Sequence, residues 1–155
     1  MTTLLVPVDG SPCSDRAVEH ASQLARELPA ADVHLLNVQP RIFSEPSLVF
    51  LPADRLDSYY YAQSEKALAS AEELLRQAGV DFTVHRSVGQ PAEEIVAKAE
   101  QLRADAIVMG THGHGKLAGI LVGSVALKVL HLSPIPVTLV RAPPATGVPG
   151  PMGMP

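Results

Sequence analysis

The chain has 155 residues, of which 46% are hydrophobic and 18% are charged, and its formal net charge at pH 7 is -4. This length suits one globular domain, and the composition excludes a disordered chain. The negative net charge argues against a general nucleic-acid-binding protein, which would present a basic face. No apolar run approaches the roughly 18 residues that a membrane span needs. We therefore expect neither nucleic acid nor membrane as a partner.

The amino terminus and the cysteine content bear on localisation. The first residues, MTTLLVPVDGS, show neither a basic segment nor a small-residue cleavage site, so we expect no signal peptide. Cys13 is the single cysteine, which excludes an intrachain disulfide and suits a reducing cytoplasm. We expect a cytoplasmic protein in which Cys13 is a small residue near a helix start rather than a catalytic thiol.

Strand-like and helix-like segments alternate along the chain. Residues 3–8 predict a buried strand, and a helix should follow from about residue 12 to 28, with Ser11 as its N-cap. The remaining strands and helices are predicted in alternation at 33–38, 54–77, 81–88, 92–102, 105–110, 124–132 and 136–140. Residues 40–53 contain three prolines and should form a loop, as a lid, a partner contact or a flap packed on its own domain.

Strands separated by helices predict right-handed crossovers and a parallel sheet with helices on both faces. Ligands bind such sheets beyond the carboxyl ends of the strands, near the point where the strand order reverses. The segments 9–11, 37–39 and 110–124 should lie at those ends. Pro7 fits this arrangement poorly, because a proline in a central strand cannot donate to the ladder. Because Pro7 lies near the end of the predicted strand, we still assign residues 3–8 to a strand.

The segment GTHGHGKL, residues 110–117, nearly matches two phosphate-binding patterns. As a P-loop it lacks the hydroxyl that holds magnesium, because Leu117 stands at the Ser or Thr position. As a dinucleotide fingerprint built on Gly113 and Gly115, it needs an acidic residue about 20 positions later. No Asp or Glu follows Asp105. We therefore set both patterns aside.

A longer spacing, G-x2-G-x9-G-S, fits the same region. Gly110 permits close approach of the backbone to a ligand, and Gly113 permits a turn without a side chain beside a phosphate. Gly123 and Ser124 begin a helix whose N–H groups and dipole attract anions, and the Ser124 hydroxyl can cap the helix or donate to a ligand. The following basic residues also favour an anion: Lys116, Lys128 and Arg141. The alternative is a glycine-rich turn followed by an ordinary serine N-cap.

The sequence resembles the single-domain universal stress proteins. The resemblance rests on LLVPVDGS, on LLNV with a proline after it, and above all on IVMGTHGHGKLAGILVGSVALKVLHLSPIPVTLVR, and it covers residues 3–141. It implies an α/β, Rossmann-like fold (adenine nucleotide alpha hydrolase-like), with a five-stranded parallel sheet in the order 3-2-1-4-5. It also implies a domain over residues 1–141, a flexible Pro/Gly-rich tail over 142–155, and a homodimer that pairs through the fifth strand at 136–140.

Family members that retain this glycine–serine spacing bind ATP, and this chain retains it. The resemblance therefore implies a site for ATP, ADP or AMP with Mg2+. The residues that it assigns to the nucleotide are Pro7, Val8, Asp9, Val38, Met109, Gly110, Thr111, His112, Gly113, Gly123, Ser124 and Val125.

The same resemblance implies a role for each part of the site. Val38 would contact adenine, and the residues from 109 to 111 would lie beside adenine and ribose. Asp9 would lie near the base, the ribose or a phosphate-bound metal. The phosphates would lie among Gly113 and residues 123–125, with His112 as a phosphate-side contact. His114 is expected to be solvated.

We expect a stress or regulatory protein in which nucleotide occupancy alters the shape of the dimer or the binding of an unidentified protein partner. Hydrolysis would be slow at most, because no catalytic base is obvious at a phosphate, although Asp9 could position water. Two alternatives stay open. One is an ATP-hydrolysing or adenylating enzyme on the same fold, and the other is a dimeric interaction module with a vestigial nucleotide site.

Overall fold

The structure, a computed structural model, describes residues 1–42, 50–113 and 122–142. Within these ranges strands and helices alternate strictly, and each predicted element is present within two residues of its predicted bounds. In chain order the elements are β1 Thr2–Pro7, α1 Pro12–Glu27, β2 Ala31–Gln39, α2 Ala53–Ala78, β3 Phe82–Val88, α3 Pro91–Leu102, β4 Ala106–Gly110, α4 Ser124–Leu132 and β5 Val137–Val140.

Several predictions fall on residues outside the described ranges. These are the middle of the 40–53 segment, the second half of GTHGHGKL with His114 and Lys116, and the tail beyond residue 142. The start of the 40–53 segment is described, and there the Ile42 backbone N–H donates to the Tyr60 hydroxyl of α2 at 3.1 Å. This first part of the segment therefore packs on its own domain.

The five strands form one parallel sheet in the order β3-β2-β1-β4-β5, which confirms the predicted fold. The order reverses between β1 and β4, so the carboxyl ends of these two strands flank the topological switch point. Pro7 is the last residue of β1 and lies opposite Leu36. The next residue, Val8, donates its N–H to the Leu36 carbonyl at 2.8 Å. The ladder to β2 thus continues past the proline.

Two hydrophobic clusters cover the two faces of the sheet. Side chains that include Leu5 and Leu36 pack with α3 and α4 on one face, and Val6 and Leu35 pack with α1 and α2 on the other. The central residues of β4 are buried on both faces, as a strand covered on two sides should be. This doubly wound packing fixes the strand ends that carry the site.

Two of the helix ends follow the local sequence as predicted, and the start of α4 does not. The Ser11 hydroxyl caps α1 by accepting the Ser14 N–H at 3.2 Å, and Gly79 ends α2 with φ at 69°, both as predicted. The N-cap of α4, however, is Gly123, and Ser124 is the first helical residue. The expectation that Ser124 can cap this helix is wrong, because a side chain at the first helical position lies past the capping position.

Among the described residues, no helix combines the length and the apolar character that a bilayer crossing demands.

Candidate functional site

A cavity of about 690 Å³ opens at the carboxyl ends of β1, β2 and β4. It lies at the reversal of strand order, the place where open α/β sheets bind ligands. Residues at the amino-terminal ends of α3 and α4 form its sides. The volume falls within the range of about 300 to 1,000 Å³ that is typical of small-molecule sites.

The structure brings all the residues assigned to the nucleotide site to this one cavity. Those that line it are Pro7, Val8, Asp9, Val38, Met109, Gly110, Thr111, His112, Gly113, Gly123, Ser124 and Val125. They come from the ends of three strands and the start of α4, which are distant in sequence and adjacent in this topology. What each residue does toward a ligand stays a prediction.

The side of the cavity nearest β2 and α3 is apolar. Leu36, Val38 and Pro40 line it from β2 and the segment after it, and Pro91 and Ile95 line it from α3. Sequence reasoning found Val38 and missed the two α3 residues, although Gly89-Gln90-Pro91 marks a helix start just beyond a strand end. This lining suits an apolar or aromatic part of a ligand.

The start of α4 forms another side of the cavity. The Gly123 N–H donates to the Thr111 carbonyl at 2.6 Å, which joins the helix start to the tip of β4. Its N-cap is Gly123, which has no side chain that could accept from the first turn. Its first-turn N–H groups and its dipole therefore face the cavity, where Ser124 and Val125 also lie. This arrangement favours an anion such as a phosphate.

Asp9 lies two residues after the end of β1 and lines the cavity. Its Oδ1 accepts the Ser11 N–H at 2.9 Å, which fixes the carboxylate in the turn before α1. A Cβ added at Gly113 would lie 2.4 Å from Asp9 Oδ2, so glycine lets the loop pass close to this carboxylate. In the described ranges no group of three or more His, Cys, Asp or Glu side chains could hold a metal.

The glycine at position 110 has a packing role that sequence reasoning did not foresee. A Cβ there would lie 2.8 Å from Cys13 Sγ and 3.0 Å from the Cys13 carbonyl carbon and oxygen. Glycine at this position therefore lets α1 pack directly against the tip of β4. Cys13 is buried at the start of α1, where its thiol donates to the Val140 carbonyl at 3.3 Å.

The buried Thr111 side chain lies between Cys13 of α1 and His112. Its Oγ1 lies 3.6 Å from Cys13 Sγ and 3.0 Å from His112 Nδ1. The hydroxyl therefore orients the His112 ring, which lies at the rim of the cavity. Thr111 thus supports the site through protein contacts as well as lining it.

Asn37 supports the cavity without lining it. Residues 37–39 were predicted to lie at the strand ends, but only Val38 among them was predicted as a site residue. Only 2% of Asn37 is exposed, and its Nδ2 donates to the Val8 carbonyl at 2.7 Å. Its Oδ1 accepts from Gln39 Nε2 at 2.8 Å. An amide between the apolar residues Leu36 and Val38 was the available signal, because a buried polar group needs partners. Asn37 fixes the Val8 peptide and hence the segment that carries Asp9.

An ion pair joins the two helices beside the cavity. Lys128 Nζ of α4 lies 2.5 Å from Glu93 Oε1 of α3, and the hydrogen bond from Lys128 lowers the pKa of Glu93. Both side chains are about half exposed, so water screens the pair. Lys128 was expected to add positive charge for an anion, but Glu93 balances that charge.

The strand order, the cavity at its reversal and the helix that begins beside it define an open α/β protein of the Rossmann-like class with a candidate ligand site at the switch point. Within this class, residues 1–141 match the model of the universal stress protein family. The chain belongs to that family, which confirms the resemblance.

Individual relatives show the same similarity over nearly the whole chain. Universal stress protein MJ0531 of Methanocaldococcus jannaschii is 34% identical over 146 residues, which cover 90% of this chain and 82% of that protein. Hypothetical protein MJ0577 has a solved structure with 29% identity and a TM-score of 0.76, covering 93% of this chain and 98% of its own. A universal stress protein in complex with cAMP is 28% identical, with a TM-score of 0.67 and coverage of 92% and 98%.

Proposed function

We propose that this protein is an adenine-nucleotide-binding universal stress protein. The observation that carries the proposal is the start of α4, which has a glycine as its N-cap and opens at Gly123 and Ser124 onto a cavity whose side nearest β2 and α3 is apolar. The helix start suits phosphates and the apolar side suits a base. The solved universal stress protein in complex with cAMP supports an adenine nucleotide as the ligand class.

The arrangement suggests an orientation for ATP, ADP or AMP. The base lies against Val38 and Ile95, and the phosphates lie against Gly113 and the first turn of α4. Asp9 is the carboxylate that lines the cavity within the described ranges. Mg2+ would therefore bind together with the nucleotide, coordinated mainly by the phosphates and water, with Asp9 close to it.

We propose a regulatory role with at most slow hydrolysis. Among the described residues that line the cavity, Asp9 is the single carboxylate, and its Oδ1 already accepts the Ser11 N–H. An ATP-hydrolysing or adenylating enzyme remains the second candidate function. Turnover well above one phosphate released per chain, in assays with ATP and Mg2+, would favour that candidate.

We also propose a homodimer that pairs through β5, and a cytoplasmic location, which the single cysteine suits. β5 is an edge strand of the sheet, and its four residues are all half-buried within one chain. Pairing with the same strand of a second copy would satisfy the open backbone groups of this edge. Nucleotide occupancy would then act on the dimer or on a further protein partner.

Calorimetric titration with ATP, ADP, AMP and GTP tests the nucleotide site. We expect one adenine nucleotide per chain and weaker binding of GTP. In Gly123→Val the added side chain meets the Thr111 carbonyl, because a Cβ at this position lies only 3.1 Å from that oxygen. The backbone at this point must then give by a few tenths of an ångström, and the larger side chain stands among residues that line the cavity. Nucleotide binding should therefore be lost while the fold remains.

The matched control is Leu130→Val, on the exposed part of the same helix and outside the cavity lining. It should bind the nucleotide like the wild type. Circular dichroism checks that both variants fold. If a folded Gly123→Val variant bound ATP as tightly as the wild type, the proposed phosphate site would be wrong.

A further inference from the structure

Two histidines and an aspartate form a hydrogen-bonded chain on the face of the sheet that packs against α3. His34 Nε2 lies 2.9 Å from Asp32 Oδ2, and His34 Nδ1 lies 2.9 Å from His85 Nε2. The ring centroids are 5.1 Å apart and the ring planes differ by 27°, so the two rings meet edge to edge through these nitrogens. His34 is only 8% exposed. The chain joins β2 to β3, an edge strand of the sheet.

These contacts determine where the hydrogens lie. A carboxylate only accepts, so His34 Nε2 carries a hydrogen, and the Nδ1 of neutral His34 must accept from His85 Nε2. One added proton is tolerated, because His34 can donate from both nitrogens while His85 changes tautomer and accepts. A second added proton is not tolerated. His34 Nδ1 and His85 Nε2 would then both carry hydrogens while facing each other at 2.9 Å.

The surroundings of His85 oppose that second proton. Burial lowers the pKa of His85 below its ordinary value of 6.5, and the positive charges of Lys98 and His34 lower it further, while Asp32 raises it. Lys98 comes from α3 and Asp32 from β2, and β1 contributes uncharged side chains to this part of the face. The folded protein therefore disfavours a charge on both rings.

We propose that the Asp32–His34–His85 chain is an acid-sensitive latch, which holds β3 to β2 with up to one added proton and opens when both rings are charged. In the unfolded chain both rings take up protons freely, so that state binds more protons as the pH falls below about 6.5. The stabilisation by the latch is complete above the ordinary histidine pKa. It is lost as the pH falls through the pKa of His85 in the folded protein.

Chemical denaturation of the full chain between pH 8 and pH 5 tests the effect on stability. In the wild type, the equilibrium constant for unfolding should rise as the pH falls, by up to tenfold per pH unit for one extra proton bound by the unfolded state. His85→Gln should flatten this rise, because its amide can donate to His34 but cannot take up a proton. His131→Gln, which changes an exposed histidine of α4, should keep the wild-type slope. Equal slopes in wild type and His85→Gln would overturn the latch.

Nitrogen NMR of the imidazole rings tests the chain directly in the wild-type protein. At pH 8 both His34 and His85 should carry their hydrogen on Nε2. His85 should titrate below pH 6.5, and His34→Gln should move that titration upward because one positive neighbour is removed. The protection factors of the β3 amides, which correct for the slower intrinsic exchange at lower pH, should decrease first on acidification. A His85 titration that His34→Gln leaves unchanged would also overturn the latch, whatever the nucleotide experiments show.

Discussion

Single hydrogen bonds position the residues around the cavity, and the bond from Asn37 to the Val8 carbonyl is the clearest case. It fixes the peptide that leads into Asp9, although Asn37 does not line the cavity. A variant that keeps the shape of Asn37 and removes its donor would therefore separate positioning of the site from direct contact with a ligand.

Asn37→Asp should weaken nucleotide binding by about tenfold at pH 8 and lower the free energy of unfolding by about 1 to 3 kcal/mol. The reason is that a buried carboxylate would face the Val8 carbonyl, and both groups are acceptors. As the pH falls, the protonated side chain can donate again, so the affinity of the variant should approach that of the wild type at the same pH. Calorimetric titration at several pH values checks this, and an unchanged affinity at pH 8 would show that Asn37 does not position the site.

The three glycines of the motif show how much of the site can be predicted from the sequence. The spacing of Gly110, Gly113 and Gly123 predicted the location of the cavity. The reasons for two of them, however, depend on tertiary contacts with Cys13 and Asp9. No local pattern shows these contacts, because the partners belong to the turn after β1 and to the first turn of α1.

At the scale of elements, β5 presents one side of its backbone to β4 and the other to the edge of the sheet. Residues in β4 and just after it donate to the carbonyls of Pro136 and Val140. Because the backbone groups of alternate residues point to the same side, those of Val137 and Leu139 face the open edge. A dimer that pairs through β5 must use these groups.

Val137→Pro removes one N–H from the open edge and leaves the bonds to β4 intact, so it should convert the proposed dimer to a monomer. Val137→Thr keeps that N–H and should remain a dimer. Size-exclusion chromatography with light scattering measures both masses, and thermal unfolding checks that each variant folds. A dimeric Val137→Pro, or a monomeric wild type, would contradict pairing through β5.

At the start of α4, the bounds of the helix could be predicted from the sequence but its N-cap could not. Its bounds were predicted correctly because Gly123 and Ser124 stand before an apolar run. The choice of Gly123 over Ser124 as the N-cap depends on the hydrogen bond from the Gly123 N–H to the Thr111 carbonyl. That bond forms only when β4 and α4 meet in the folded chain.

For the whole molecule, the alternation of strands and helices and the family resemblance were enough to predict the sheet and its order. The glycines and the serine that line the cavity at the end of β4 and the start of α4 were predicted from the G-x2-G-x9-G-S spacing, and the residues from the end of β1 were predicted from the family resemblance. On the apolar side of the cavity, only Val38 was predicted. Pro91 and Ile95 were missed because a proline at a helix start and an isoleucine within a helix occur in many helices that bind nothing. Their place beside the site follows from the packing of α3 on the sheet.

An adenine nucleotide bound in the cavity between the strand ends and α4 would change the surroundings of the backbone amides there. Mapping the amide chemical shifts of the labelled protein on addition of ATP detects this change. We expect the largest shifts at Val8, Asp9, Gly113, Ser124 and Val125. No shifts at saturating ATP, or shifts confined to the smaller cavity lined by Tyr60 and Arg86, would contradict the account.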